Sequence, residues 1–287
     1  MRVGYLGPQG TFSHQALLES DLAADAEAIP LASIHDTVMA VEEGSVERSL
    51  VPIENALEGS VDVTLDVLAS DAAGVEIVGE VVQRIRNCLI AAREIPLEAI
   101  EVVHSHPQAN AQCARFLRTR LSGARVVSTS STAAAVREVL ATPQAPHAAL
   151  GNRLAAELYG GSILLDGVDD ADRNETRFVW LARRDSGIPP SPTALPRKTS
   201  LVFWGAGDEQ PGWLVACLGE FSQRDISLTR IESRPRRAGL GHYMFFADLA
   251  GGLGSERVDA AVAGLRKHCE EVRILGSYTP ATLAPRE

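Results

Sequence analysis

The stretch SGIPPSPTALPRK, residues 186–198, constrains this chain more than any other. Its prolines at 189, 190, 192 and 196 lack amide donors and hold φ fixed, so the stretch is stiff and cannot join a sheet. We read 184–198 as a Pro-rich linker. The residues on either side must then fold as separate domains, and their patterns differ. Before the linker, strand and helix signals alternate. Strands are expected over 2–6, 49–53, 75–82, 87–92, 100–104, 125–128, 148–150 and 177–182. Helices are expected over 13–19, 33–43, 60–68, 107–120, 131–140 and 154–159. This order predicts α/β layers, with helices packed over mostly parallel sheet. After the linker come strands at 199–205, 227–233, 242–249 and 272–278, with helices at 212–224 and 256–270. That order is βαββαβ, the ferredoxin-like plan.

Bulk properties narrow the function. A chain of 287 residues with 45% hydrophobic residues can bury two or three cores. No apolar run approaches the roughly 18–20 residues that span a bilayer. Residues 1–6, MRVGYL, lack the features of a signal peptide, so a cytoplasmic protein is expected. The net charge of −10 argues against nucleic acid or an anionic membrane as partner. The basic cluster 234–237 reads as a solvated turn. Cys88, Cys113, Cys217 and Cys269 form no CxxC pair and read as free thiols of a reducing compartment. The seven histidines show no metal spacing, and no metal site is expected.

Polar stretches sit where strands hand over to helices. They are GPQGTFSH (7–14), PIENALEGSV (52–61), HSHPQANAQC (104–113) and STSST (128–132). Each would offer free backbone N–H groups and a helix dipole at a sheet edge, which suits a small carboxylate. Each also has a plainer reading. Gly7-Pro8-Gln9-Gly10 can be only a turn. Thr11, Ser13, Ser105, Ser131 and Thr132 can be helix caps, and Gln112 can be surface. Glu54 and Asn55 resist that treatment, because buried polar groups need partners. A further cluster, Asn174-Glu175-Thr176-Arg177, opens directly into the apolar run 178–182.

In this order, GYLGPQGTFSHQA, VPIENALEGSV, SHPQANAQC, STAAA and NETRFVWL resemble the prephenate dehydratase family. Beyond the linker, GWLVACLGEFSQRDISLTRIESRPRR and HYMFFADLAG resemble the ACT regulatory domain of that family. The resemblance implies a catalytic domain over 1–183 with two α/β lobes around a cleft. Lobe one would take about 1–80 and 165–183, and lobe two about 85–160. An ACT domain would occupy 199–287. It implies conversion of prephenate to phenylpyruvate, with loss of water and CO2 and without cofactor or metal. Thr176 would be the main catalytic residue, joined by Asn55, Glu54, Gln112 and Ser105. Thr11, Phe12, Ser13, Ser131 and Thr132 would contact substrate. Arg177 either binds a carboxylate or braces its lobe, with ligand binding favoured. Strand residues alternate in direction, so Thr176 and Arg177 should not both face the cleft.

Gly212, Leu214, Val215, Glu232, Ser233, Arg234 and Pro235 match effector contacts. The resemblance implies an amino-acid effector, most simply phenylalanine, and a homo-oligomer, dimer or tetramer, through the ACT domains. Two departures stand out. Ala56 replaces a Ser common in the family, and Trp213 replaces an Ala beside the effector site. Two rivals remain: a dehydratase acting on arogenate, and a non-catalytic amino-acid sensor built on a two-lobed binding fold. The set Thr176, Asn55 and Gln112 counts against the sensor.

Overall fold

The computed structural model describes residues 1–23, 25–187, 197–205, 207, 210–236 and 239–281. The prolines of the expected linker therefore lie outside the described residues, as does Arg237 of the basic cluster. Lys198, at the expected linker's end, already belongs to a strand, Lys198–Trp204. By contact, the chain divides into two compact units. The first holds Met1–Ser33, Glu54–Gly59 and Val82–Thr176. The second holds Ile34–Ile53, Ser60–Val81 and the described residues from Arg177 onward.

In the first unit, strand Arg2–Leu6 pairs in parallel with Glu27–Leu31. The second of these is absent from the sequence reading, because Pro30 and a short run disguise it. It lies at the edge of its sheet, where a missing amide costs little. A five-stranded sheet follows the order Ser162–Asp166, Cys88–Ala91, His147–Gly151, Val102–Ser105, Arg125–Ser128. The expectation of a mostly parallel sheet needs correction here. The first two pairings are antiparallel and the last two parallel. Ser162–Asp166, too short to separate from a loop by pattern, supplies one antiparallel neighbour. Apolar residues cover both faces. Leu89, Val103, Ala148 and Leu150 pack on one side, and Cys88, Ile90 and Ala149 on the other.

The helix expected over 107–120 is two helices, Pro107–Gln112 and Ala114–Arg120. Asp170 explains the break. Its carboxylate accepts from Arg115 N at 2.6 Å and Phe116 N at 3.1 Å, and its own amide donates to Gln112 O at 2.8 Å. A foreign carboxylate thus starts the second helix where an intrahelical carbonyl would have continued the first.

In the second unit, residues 48–53, 177–183 and 75–81 of strands Arg48–Asn55, Glu175–Arg183 and Val75–Arg84 lie side by side in that order. The middle strand begins two residues earlier than expected, so Glu175 and Thr176 belong to it. Phe178 to Ala182 are fully or nearly fully buried. Helices Ile34–Glu42 and Asp62–Ser70 turn Val38, Val41, Leu65 and Leu68 inward. From Lys198 the order βαββαβ is found. The four strands form an antiparallel sheet of order Leu228–Pro235, Tyr243–Ala250, Lys198–Trp204, Glu271–Tyr278. Helices Trp213–Ser222 and Glu256–Leu265 bury Cys217, Phe221, Val258, Val262 and Leu265 against Leu201, Phe203 and Leu249. The second helix stops five residues early. Lys267 and His268 N donate three residues back, to Gly264 and Leu265 O, and this tightens its end.

Asp170→Ala should lower the unfolding free energy by about 1–2 kcal/mol. It should also speed hydrogen exchange at the Arg115 and Phe116 amides. Urea denaturation and amide exchange check both outcomes, and unchanged exchange would reject the capping role.

Candidate active site

Asn55 ends strand Arg48–Asn55 and is 6% exposed. Its Oδ1 accepts from Leu57 N at 2.9 Å and Glu58 N at 3.1 Å. Two backbone donors on one side of the amide settle its orientation, since a flipped amide would set donor against donor. Nδ2 therefore faces three acceptors: Asn174 Oδ1 at 2.9 Å, Thr176 Oγ1 at 2.9 Å and Glu175 O at 3.2 Å. Thr176 is 8% exposed. Because its oxygen accepts from Asn55, its own hydroxyl hydrogen is left to donate elsewhere. A donated hydrogen bond also stabilises negative charge on that oxygen, which makes the hydroxyl a better acid.

The structure adds Asn174, the first residue of the NETRF motif, to the expected site residues. It is 1% exposed, and among the described residues its Nδ2 has no hydrogen-bond partner. A buried amide donor without a partner costs about 1–3 kcal/mol, so an acceptor oxygen beside it would be favourable. The available signal was its position, two residues before Thr176. Glu58 was also missed. Its carboxylate accepts from Gln108 Nε2 at 2.7 Å and Gln112 Nε2 at 3.1 Å. Gln112 thereby connects to Asn55 through the Leu57–Glu58 turn. Glu54 is half-buried one residue before Asn55.

Other expected contacts use their hydroxyls locally. Thr11 caps helix Phe12–Leu18, accepting from His14 N at 3.3 Å and donating to Leu6 O at 3.1 Å. Ser131 caps helix Thr132–Leu140, accepting from Ala134 N at 3.0 Å. Ser105 is fully buried and donates to His106 O. Ser13 is buried, while Phe12 and Thr132 are half-buried. Thr11, Phe12 and Ser13 sit beside a stacked pair, Tyr5 on His14, with centroids 4.8 Å apart. His14 Nδ1 accepts from Gly10 N at 3.2 Å, and burial pushes its pKa down.

Arg177 lies on the other side of the unit boundary. Its guanidinium donates to Glu80 at 3.0 Å and Asp248 at 2.6 Å, all within the second unit. Of the two roles left open for it, this engagement matches bracing. Burial works against its charge, but Asp248, Tyr278 and Glu80 outweigh burial and raise its pKa.

The expected effector contacts divide into two groups. Gly212, Leu214 and Val215 line a cavity of about 190 Å³ with Trp213, Gly241, Tyr243 and Phe245. Trp213 is a fixed wall, its indole donating to His268 O at 2.7 Å. Glu232 instead accepts from Ser60, and Arg234 donates to Asp62 and Asp66. Ser233 and Pro235, on the alternate face of that strand, are exposed.

Fold and site together place a buried threonine hydroxyl, hydrogen-bonded by an asparagine amide, on an α/β scaffold. The model of the family described as "PDT: Prephenate dehydratase" matches residues 3–186. The prephenate dehydratase of Mycobacteroides abscessus is 38% identical over 99% of this chain and 92% of its own. The bifunctional chorismate mutase/prephenate dehydratase of Aquifex aeolicus is 39% identical over 99% of this chain and 75% of its own. Among solved structures, prephenate dehydratase from Arthrobacter aurescens in complex with L-Phe aligns with a TM-score of 0.87. It is 35% identical and covers 99% of this chain and 94% of that one. A structure described as a novel type of quorum quenching acylase aligns at 0.85 with 30% identity, covering 98% of each chain. The chain belongs to the prephenate dehydratase family.

The packing of His14 has a consequence measurable without substrate. The folded state binds this proton less readily than the unfolded chain, whose histidine titrates near about 6.5. The stability contributed by neutral His14 is present above that pH and lost as pH falls through the lower folded value. His14→Gln should flatten the dependence of melting temperature on pH as pH falls below about 6.5. An unchanged slope would reject this assignment.

Proposed function

We propose that the chain is a carbon–oxygen lyase that converts prephenate to phenylpyruvate, in the formation of phenylalanine. The observation that carries the reading is the Asn55–Thr176 hydrogen bond, with the amide as donor. In prephenate the ring hydroxyl must leave as water and the ring carboxylate as CO2. Breaking the carboxylate bond sends its electron pair into the ring, which becomes aromatic as the C–O bond breaks. The protein needs to hold the dianion, orient the ring and protonate the departing oxygen. Thr176 gives that proton, Asn55 Nδ2 stabilises the charge growing on Oγ1, and solvent returns a proton to Oγ1 once the products have formed. Asn174 Nδ2 is a free donor for a substrate oxygen beside it. Gln112, Ser105, Glu54 and the loops at 11–13 and 131–132 complete the substrate pocket. No cofactor or metal enters this scheme.

The same hydrogen bond bears on acylase activity, named in one neighbour's description, if a threonine were its nucleophile. A nucleophilic threonine needs a base to take its proton, and an amide N–H cannot do so. Arogenate differs from prephenate only in bearing an amine where prephenate has a keto oxygen, so it is the alternative substrate to assay.

The catalytic domain in this proposal is 1–183, with lobes at about 1–80 with 165–183 and at about 85–160. An ACT domain occupies 199–287. Its strand and helix order and the cavity at Gly212–Val215 support a site for phenylalanine, with Ser233 and Pro235 facing it from a second copy. Val215, Ile231 and Tyr243 are 73%, 46% and 42% exposed around edge strand Leu228–Pro235, which supports association of copies there. The reaction is placed in the cytoplasm, where the four thiols stay reduced.

Purified protein should form phenylpyruvate from prephenate, and Thr176→Ala should lower kcat by about 10²–10⁴-fold with its melting temperature nearly unchanged. Near-normal turnover by a folded variant would remove the role given to Thr176. Isothermal titration with phenylalanine should release or absorb heat and accompany lower activity. No heat and no change in rate would reject phenylalanine as effector.

A further inference from the structure

Arg177 is joined to a cluster that balances two acids against two bases in the interior. The side chains of Arg177, Glu80 and Asp248 are 10%, 3% and 3% exposed. Glu80 accepts from Arg177 Nη1, and from Lys198 Nζ on both oxygens at 2.7 and 2.9 Å. Asp248 accepts from Arg177 Nη2 on Oδ2 and from Ser200 Oγ on Oδ1, each at 2.6 Å. Ser200 in turn lies 2.7 Å from Tyr278 OH. Lys198, Ser200, Asp248 and Tyr278 come from three strands of the C-terminal antiparallel sheet. Glu80 and Arg177 come from two strands of the preceding region.

Buried ion pairs are seldom the most stable filling for such a space. Apolar residues of the same volume commonly do as well or better. What charge offers is direction, since a guanidinium fork holding two carboxylates tolerates little movement of either. The surroundings leave no slack. A Cβ on Gly276 would sit 2.1 Å from Ile77 O, so strand Glu271–Tyr278 meets strand Val75–Arg84 backbone to backbone. Strand Tyr243–Ala250 carries Tyr243 and Phe245 at the cavity and Asp248 at the cluster. One rigid strand thus has a pocket wall at one end and the arginine's acceptor further along. Thr176 precedes Arg177 in the chain, on the opposite face of a shared strand.

We propose that Arg177 is a positioning residue, which passes the state of the cavity-lining strand through Asp248 to the backbone that holds Thr176. This rests on the reading of Thr176 as the proton donor and of the cavity as an effector site. A ligand that shifts strand Tyr243–Ala250 moves Asp248, Arg177 follows its acceptor, and the Thr176 hydroxyl leaves its alignment.

The test uses the full-length chain and two variants. Ser200→Ala keeps all four charges and removes the hydroxyl that Asp248 and Tyr278 share. Asp248→Asn removes one acceptor charge, and should it fail to fold, Ser200→Ala decides. Prephenate turnover is measured with and without phenylalanine, alongside calorimetry with phenylalanine and thermal melting. For Ser200→Ala the expected result is a KM within about twofold of wild type and a severalfold lower kcat. The phenylalanine concentration needed for half-inhibition should rise about tenfold, while calorimetry still detects binding. Folded variants with wild-type kcat and wild-type phenylalanine response overturn the inference alone. A wild type that turns over no prephenate removes the dehydratase reading, and the inference with it.

Discussion

Everything in this structure turns on strand Glu175–Arg183 and the alternation of its side chains. A strand sends neighbours to opposite faces, and this one begins its buried run with a hydroxyl followed by a guanidinium. Thr176 meets Asn55, and Arg177 meets Glu80 and Asp248. Neither polar group could be buried without those partners, because a desolvated donor or charge with no partner opposes folding. The apolar run from Phe178 to Ala182 then fixes both in place. Chemistry and its support are therefore set by one backbone segment, and they cannot be displaced independently.

The site has the features of preorganisation, with few strong acids or bases. Its central contacts are amide to hydroxyl and amide to backbone. Aromatisation supplies the driving force of the proposed reaction, so the protein's task is alignment. The Asn55 orientation is fixed by two backbone N–H groups from the turn that also brings Glu58 to Gln108 and Gln112. A turn, a strand end and a helix thus share a single amide as their reference point.

Much of this was legible in the sequence. The βαββαβ order after residue 198 followed from apolar spacing, since two amphipathic helices and four short runs leave few alternatives. The pairing of Thr176 with Asn55 was foreseen only through resemblance. Their 121-residue separation is closed by tertiary structure, which local pattern does not encode. The broken helix at Cys113 was invisible for the same reason, because the carboxylate that breaks it comes from Asp170. Edge strand Glu27–Leu31 escaped because Pro30 argues against a strand anywhere except an edge. Asn174 escaped because an unpaired donor is a property of packing, and no composition or spacing reports it.

The three acceptors around Asn55 Nδ2 have a further consequence. The amide has two hydrogens, so one acceptor is always surplus. If the hydroxyl of Thr176 rotates away, Asn174 and the Glu175 carbonyl can take both hydrogens. Asn55 then loses no hydrogen bond. The arrangement works like a bearing with a spare seat: the threonine oxygen can change its neighbours while the amide beside it stays still.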